Sequence, residues 1–251
     1  MMDPADFIRT KLPLTTVPGL PGVVLHLAAA SSGLRRLTDT TPYWAYVWAG
    51  GAVLARYLQD YPEPLRGRRV LDLGAGSGLV GICAALAGAT VFAAEIDPLG
   101  QVAIALNAAA NRVAVQVLPG PVLSGPVFSG PVLSGPVLPG PVLPGPVLSG
   151  DVLVGDVPQV DLILVGDLFY DPRLVSPMLA FLDRALAQGT KVLIGDPGRA
   201  PLPLARLDPV VTYDVPDFGC TGPAPATVFR LRRDARPAPV ATPPHHRPAA
   251  R

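Results

Sequence analysis

Three glycines at alternate positions behind an apolar strand, Val70-Leu71-Asp72-Leu73-Gly74-Ala75-Gly76-Ser77-Gly78, have the plainest chemical use in this sequence. Glycine suits a backbone that must turn sharply and let a ligand approach where a Cβ would stand. The spacing separates two classes of nucleoside cofactor. A dinucleotide loop wants G-x-G-x-x-G, which seats a pyrophosphate on a helix N-terminus. Here the third glycine falls one residue early, and Leu79 takes the sixth position. The form D-x-G-x-G-x-G suits a cofactor without a phosphate, S-adenosyl-L-methionine, and hence methyl transfer. Gly74, Gly76 and Gly78 are the expected cradle, and Asp72 either braces the loop or binds the cofactor's ammonium group.

Glu95 closes the next apolar strand, where a carboxylate can accept hydrogen bonds from both ribose hydroxyls. Asp97 precedes Pro98 and suits a helix start better. A second signal, Gly166-Asp167-Leu168-Phe169-Tyr170, follows the fourth strand of the pattern. In an open α/β sheet that strand end lies beside the first strand, at the crevice where ligands bind. Sites that methylate amide or base nitrogens commonly carry Asn-Pro-Pro-Tyr here, and a pyrimidine carbon acceptor would need a nearby nucleophilic cysteine. Neither is present. An ionised Asp167 suits a cationic acceptor, which points to lysine. The neutral amine that must attack lies about 4 kcal/mol uphill near pH 7.4, because a free lysine has a pKa of ~10.4. A site helps by desolvating the amine and holding it in line. Asp167 is expected to orient it, with Tyr170 shaping the channel; the alternative is an N-cap for the helix after Pro172 plus a packed tyrosine. Arg199, beyond the fifth strand, either contacts substrate or forms a structural ion pair.

These residues need a scaffold, and the chain alternates strand and helix to supply one. Strands are expected at 69–73, 90–95, 113–118, 160–166, 191–195, 210–215 and 227–231, and helices at 52–59, 79–86, 98–110 and 172–188. Nearly continuous apolar strands imply a sheet covered on both faces. The fold class is α/β, a doubly wound, seven-stranded, mostly parallel sheet of the Rossmann-like class I methyltransferase kind. A small N-terminal lobe (1–40) holds a helix near 3–12 and an extended piece at 22–28, and the main domain runs over 41–231. Inside it the pentapeptide Pro-Val-Leu/Phe-Ser/Pro-Gly repeats six times over 121–150. Proline at that period blocks both helix and central strand, so an irregular surface insert is expected. The Pro/Ala/Arg-rich tail, 232–251, lacks the apolar residues to fold.

A net charge of +1 and 16% charged residues give no electrostatic footprint for a nucleic acid. The longest apolar run, 79–94, is too short to span a bilayer and breaks at Gly88. Cys83 and Cys220 match no metal-ligand spacing and suit a reducing compartment. A soluble, cytoplasmic monomer without metal or membrane contact is expected.

Four stretches resemble one family. They are Pro42-Tyr43-Trp44-Ala45-Tyr46-Val47-Trp48-Ala49-Gly50-Gly51, the run from Gly67 through Glu95-Ile96-Asp97-Pro98 to Asn107, Gly166-Asp167-Leu168-Phe169-Tyr170-Asp171, and Gly195-Asp196-Pro197-Gly198-Arg199 with the closing strand 227–231. The chain is similar to the electron transfer flavoprotein β-subunit lysine methyltransferases. The resemblance implies that Trp48 lines the cofactor pocket, that Asp167 and Tyr170 serve the acceptor lysine, and that the partner is the flavoprotein β subunit. It also implies an acidic contact to the adenine beside the insert, for which Asp151 is preferred over Asp156. Three departures stand out: Ala49 replaces a usual proline, the repeat interrupts the adenine segment, and the 217–226 connection is poor in acidic residues. Another protein substrate, such as a ribosomal protein, or a non-catalytic interaction protein are the alternatives.

Overall fold

The structure, a computed structural model, describes residues 3–29, 32, 34, 42–118 and 153–233. The repeat at 121–150, Asp151 and residues 234–251 lie outside the described residues.

Among those described, a seven-stranded sheet forms the centre. Its strands are β3 (Arg69–Leu73), β4 (Thr90–Ala94), β5 (Val115–Val117), β6 (Leu162–Gly166), β7 (Lys191–Asp196), β8 (Leu207–Val215) and β9 (Ala224–Leu231). They lie in the order β5-β4-β3-β6-β7-β9-β8. All neighbours are parallel except β9, which runs antiparallel to both β7 and β8. The order reverses between β3 and β6, which creates the crevice expected of a doubly wound sheet. Both strands end in the segments singled out above, Gly74–Gly78 and Asp167–Tyr170.

Each apolar strand feeds two cores. Leu71, Leu73, Ile163 and Val165 point into a cluster with Phe181 and Leu182 of α5 (Pro172–Ala187). Val70 and Leu164, the alternate residues, pack with Leu54 and Leu58 of α2 (Ala49–Asp60) and Ile82 of α3 (Leu79–Leu86). The two-fold alternation of strand side chains explains why these strands read as unbroken apolar runs.

The N-terminal segment folds as α1 (Pro4–Lys11) and a short antiparallel pair, β1 (Leu14–Thr16) with β2 (Val24–His26). Ile8 and Leu12 join Trp44 and Ala103 in a separate core under α4 (Pro98–Ala110). The second edge of β2 is met by two side chains one helical turn apart, Asn107 on α4 and Asn111 at its C-cap. Asn111 accepts from Val24 N–H (3.0 Å) and donates to Val24 O (2.6 Å), and Asn107 accepts from His26 N–H (2.7 Å).

Three elements begin earlier than their sequence suggests, β9 among them at Ala224 rather than 227. β8 starts at Leu207 rather than 210, because it is an edge strand that absorbs Pro209 with a register shift before Val211. Helix α2 starts at Ala49 rather than 52, for a reason that belongs to the site.

Candidate active site

At the end of β3 the chain turns over Gly74, Gly76 and Gly78, all with positive φ. Gly74 needs its hydrogen for a second reason: a Cβ there would stand 2.5 Å from Leu168 Cδ2. The loop is clamped to the neighbouring strand end. Gly74 and Ala75 N–H both donate to Ala94 O, and Gly76 N–H donates to Glu95 Oε2 at 2.7 Å. The other Glu95 oxygen accepts from Asp97 N–H (2.8 Å). Burial pushes the Glu95 carboxyl above its usual range, and these two N–H bonds pull it back. Asp97 itself caps α4 by accepting from Leu99 N–H.

Asp72 lies beneath the loop, nearly inaccessible, and accepts from Gly81 N–H at 2.8 Å in the first turn of α3. Burial pushes its carboxyl up to about 7, and the nearby Glu95 charge adds to the effect. Buried Asn107 donates to Ser77 O (2.8 Å), so one side chain joins the N-terminal pair to the glycine loop.

The second half of the crevice is assembled by a close approach of backbones. A Cβ on Gly50 would lie 2.3 Å from Gly195 O and 2.6 Å from Asp167 N, and one on Gly166 would lie 3.0 Å from Gly51 Cα. The glycine pair lets the first turn of α2 rest directly on the ends of β6 and β7. Trp48 at the N-cap gives no side-chain capping bond, so the helix start is capped from elsewhere. Asp217, in the β8–β9 turn, accepts from Ala49 N–H (3.1 Å), and Asp167 accepts from Gly50 N–H (2.9 Å). These remote caps account for the early start of α2.

Asp167 adopts φ 57°, a left-handed conformation that Asp tolerates better than most residues. Its other oxygen accepts from Arg199 Nε at 2.5 Å, with the Asp167 side chain 7% and that of Arg199 29% exposed. Arg199 is held from behind. Asp196 Oδ1 accepts from the N–H groups of Gly198 and Arg199, both at 2.7 Å, while its Oδ2 is buried without a hydrogen-bond partner. Burial, then the Asp167 charge, raises the Asp196 carboxyl. The bond to Asp167 keeps the Arg199 guanidinium firmly charged.

Five rings edge this crevice. Tyr43 stacks on Tyr170 with centroids 5.5 Å apart, and meets Trp48 at the same distance. Phe218 packs against Tyr46 (3.7 Å) and Trp48 (5.4 Å). Trp48 Nε1 donates to Tyr43 O. Burial and the neighbouring Tyr43 raise the Tyr170 phenol, which stays protonated.

Of the residues singled out from sequence, Trp48, Asp72, Gly74 and Gly76 line one small cavity, together with Tyr43, Tyr46 and Gly166. Gly78 is the N-cap of α3, and Glu95 stands behind the loop it holds. Asp167, Tyr170 and Arg199 gather at the adjoining strand ends. The cap of α5 is Asp171, not Asp167, since Asp171 accepts from Arg173 N–H. Trp44 is buried in a 3-10 turn, and Trp48 sits among the edge rings. Sequence reading gave no role to Tyr43, Asp196, Asp217 or Phe218.

This strand order, with a glycine cradle at the first strand end and a carboxylate at the second, defines a class I methyltransferase. Residues 38–120 match a family model described as lysine methyltransferase. The Xenopus laevis electron transfer flavoprotein beta subunit lysine methyltransferase is 32% identical over 225 residues, which cover 85% of this chain and 80% of that protein. The rat enzyme of the same name is 37% identical over 160 residues, covering 63% of this chain and 51% of the relative. A solved Thermus thermophilus 16S rRNA N2 G1207 methyltransferase, in complex with AdoMet and guanosine, superposes at TM-score 0.48 and 20% identity, covering 88% and 50% of the two chains. The chain belongs to the electron transfer flavoprotein β-subunit lysine methyltransferase family, and it is a protein-lysine methyltransferase. No helix among the described residues is long and apolar enough to cross a membrane, and none of their His, Cys, Asp and Glu groups cluster as a metal site.

Proposed function

We propose that this chain uses S-adenosyl-L-methionine to methylate a lysine of the electron transfer flavoprotein β subunit. The observation that carries the reading is the juxtaposition of two unlike sites on adjacent strand ends: a backbone cradle closed by Glu95, and a charged, ring-edged cleft built on Asp167. The donor set fits the cofactor. Glu95 keeps a free lone pair on each oxygen for ribose hydroxyls, Asp72 faces the cavity, and the cradle leaves no Cβ in the way. When bound, this cofactor supplies a methyl carbon on a sulfonium sulfur, to which an amine lone pair bonds as the carbon–sulfur bond opens.

The remaining work falls to the protein. Asp167 spends one lone pair on Gly50 N–H and one on Arg199, which leaves others to orient an incoming amine. Arg199, bonded to Asp167 through Nε, fixes the direction in which that carboxylate faces the amine. Tyr170 and Tyr43 exclude water from the approach. Asp151 serves the adenine in this reading. The two free cysteines, Cys83 buried and Cys220 exposed, support a reducing compartment such as the cytoplasm.

The substrate assignment is supported by the relatives that carry that name, matched here at 32% and 37% identity. Labelled methyl transfer from S-adenosyl-L-methionine to purified electron transfer flavoprotein, beside a ribosomal-protein sample, tests it. Label confined to the flavoprotein β subunit is the expected result. Label on the ribosomal proteins instead would overturn the substrate, and absence of label anywhere would overturn the catalytic reading.

A further inference from the structure

The β8–β9 turn is tied to the crevice more tightly than a hairpin connection at the sheet edge requires. Asp217 accepts from Ala49 N–H, Phe218 N–H donates to Val47 O (3.1 Å), and the Phe218 ring lies on Tyr46 and against Trp48. Phe218 nevertheless stays 46% exposed, so the turn presents apolar surface rather than burying it. Its surroundings are acidic. Asp167, Asp196 and Asp217 all act on the one guanidinium of Arg199, and the buried Asp196 Oδ2 has no partner. Three carboxylates against one cation leave this end of the sheet complementary to a positive guest. A ring shelf beside such a charge suits a side chain that is apolar along its stem and cationic at its tip.

We propose that the β8–β9 turn is the outer wall of the acceptor site, on which Phe218, with Tyr46 and Trp48, receives the aliphatic stem of the substrate lysine. Asp217 is the positioning residue that locks this wall to α2, one residue from the N–H that Asp167 holds. The inference rests on the lysine-acceptor reading above and adds the residues that would grip the side chain.

The test combines steady-state kinetics on electron transfer flavoprotein with calorimetric binding of S-adenosylhomocysteine, for Phe218→Ala, Phe218→Leu, Asp217→Ala and Asp217→Asn. Phe218→Ala is expected to raise KM for the protein acceptor about tenfold with kcat within about a factor of two, and Phe218→Leu to recover most of the loss. The S-adenosylhomocysteine Kd should not move in either. Asp217→Ala should raise KM and lower kcat together, and Asp217→Asn should restore both, because an amide oxygen still accepts from Ala49 N–H. A Kd for S-adenosylhomocysteine that rises as far as KM would overturn the proposal, as would wild-type kinetics in Phe218→Ala. No transfer to lysine by the wild-type enzyme would overturn the acceptor reading itself, and this wall with it.

Discussion

The two halves of the crevice are built by different means. The cofactor end is nearly continuous in sequence: Asp72 to Gly81 forms the cradle, and Glu95, one strand over, closes it with a hydrogen bond to Gly76. The proposed acceptor end gathers Gly50, Asp167, Asp196, Arg199 and Asp217 from four separate stretches and holds them by carboxylate bonds, three of which cross long gaps in the chain. A cradle made by local backbone turns tolerates change elsewhere in the fold. A cleft made by remote caps depends on every element that meets there. On the proposed assignment, the cofactor end should tolerate remote change and the acceptor end should be tuned by it.

The sharpest way to break that contrast is at Gly50. Gly50→Ala puts a methyl against Gly195 O and forces α2 off the sheet, at an expected cost of about 3 kcal/mol or more. Gly76→Ala, with φ 54° but nothing nearer than 3.7 Å, should cost about 1–2 kcal/mol of backbone strain. Denaturant unfolding of both variants checks the order; equal losses would erase the distinction between close packing at one end and turn geometry at the other.

Asn107 tests whether the cradle is as self-contained as its sequence suggests. Asn107→Ala leaves Ser77 O and His26 N–H without their buried partner and should cost about 2 kcal/mol. Binding of S-adenosylhomocysteine should weaken with it, by about threefold to tenfold if the loop loosens. Unchanged affinity would show that the loop does not lean on the N-terminal segment.

The last test is a dependence on pH. Asp72 is raised to about 7 in the folded protein, so the folded state keeps a proton that the unfolded chain releases near pH 4. Its contribution to stability is full below about pH 4 and is lost as pH rises towards 7. Asp72→Asn keeps an acceptor for Gly81 N–H without the charge. It should match the wild type near pH 4 and become the more stable of the two as pH rises through 7. A stability difference that does not change with pH would contradict the assignment of the shift to burial.

The same contrast decides what the sequence could reveal. β3, α3 and α4 were legible to the residue, because glycine spacing, Asp97-Pro98 and unbroken apolar runs are local signals. Asp167 was legible as a candidate, since it follows a strand at the switch point. Its partners were not. The early start of α2 depends on Asp217, 168 residues away, and no local capping residue announces it. Asp196 looked like one letter of a Gly-Asp-Pro-Gly-Arg turn, although it sets the position of Arg199. Phe218 lies in a Gly/Pro-rich connection that carries no periodic pattern, so only its contacts with Tyr46 and Trp48 identify it.

The division of labour between the two ends can be read directly by measuring the S-adenosylhomocysteine Kd and the acceptor KM and kcat for Glu95→Ala and Asp167→Asn side by side. The account predicts that Glu95→Ala weakens the cofactor Kd at least about tenfold with the acceptor KM little changed. Asp167→Asn should leave the Kd within about twofold and lower kcat/KM for the acceptor by at least about a hundredfold. If both variants lose cofactor affinity and turnover in the same proportion, the crevice is one undivided site and the central claim fails.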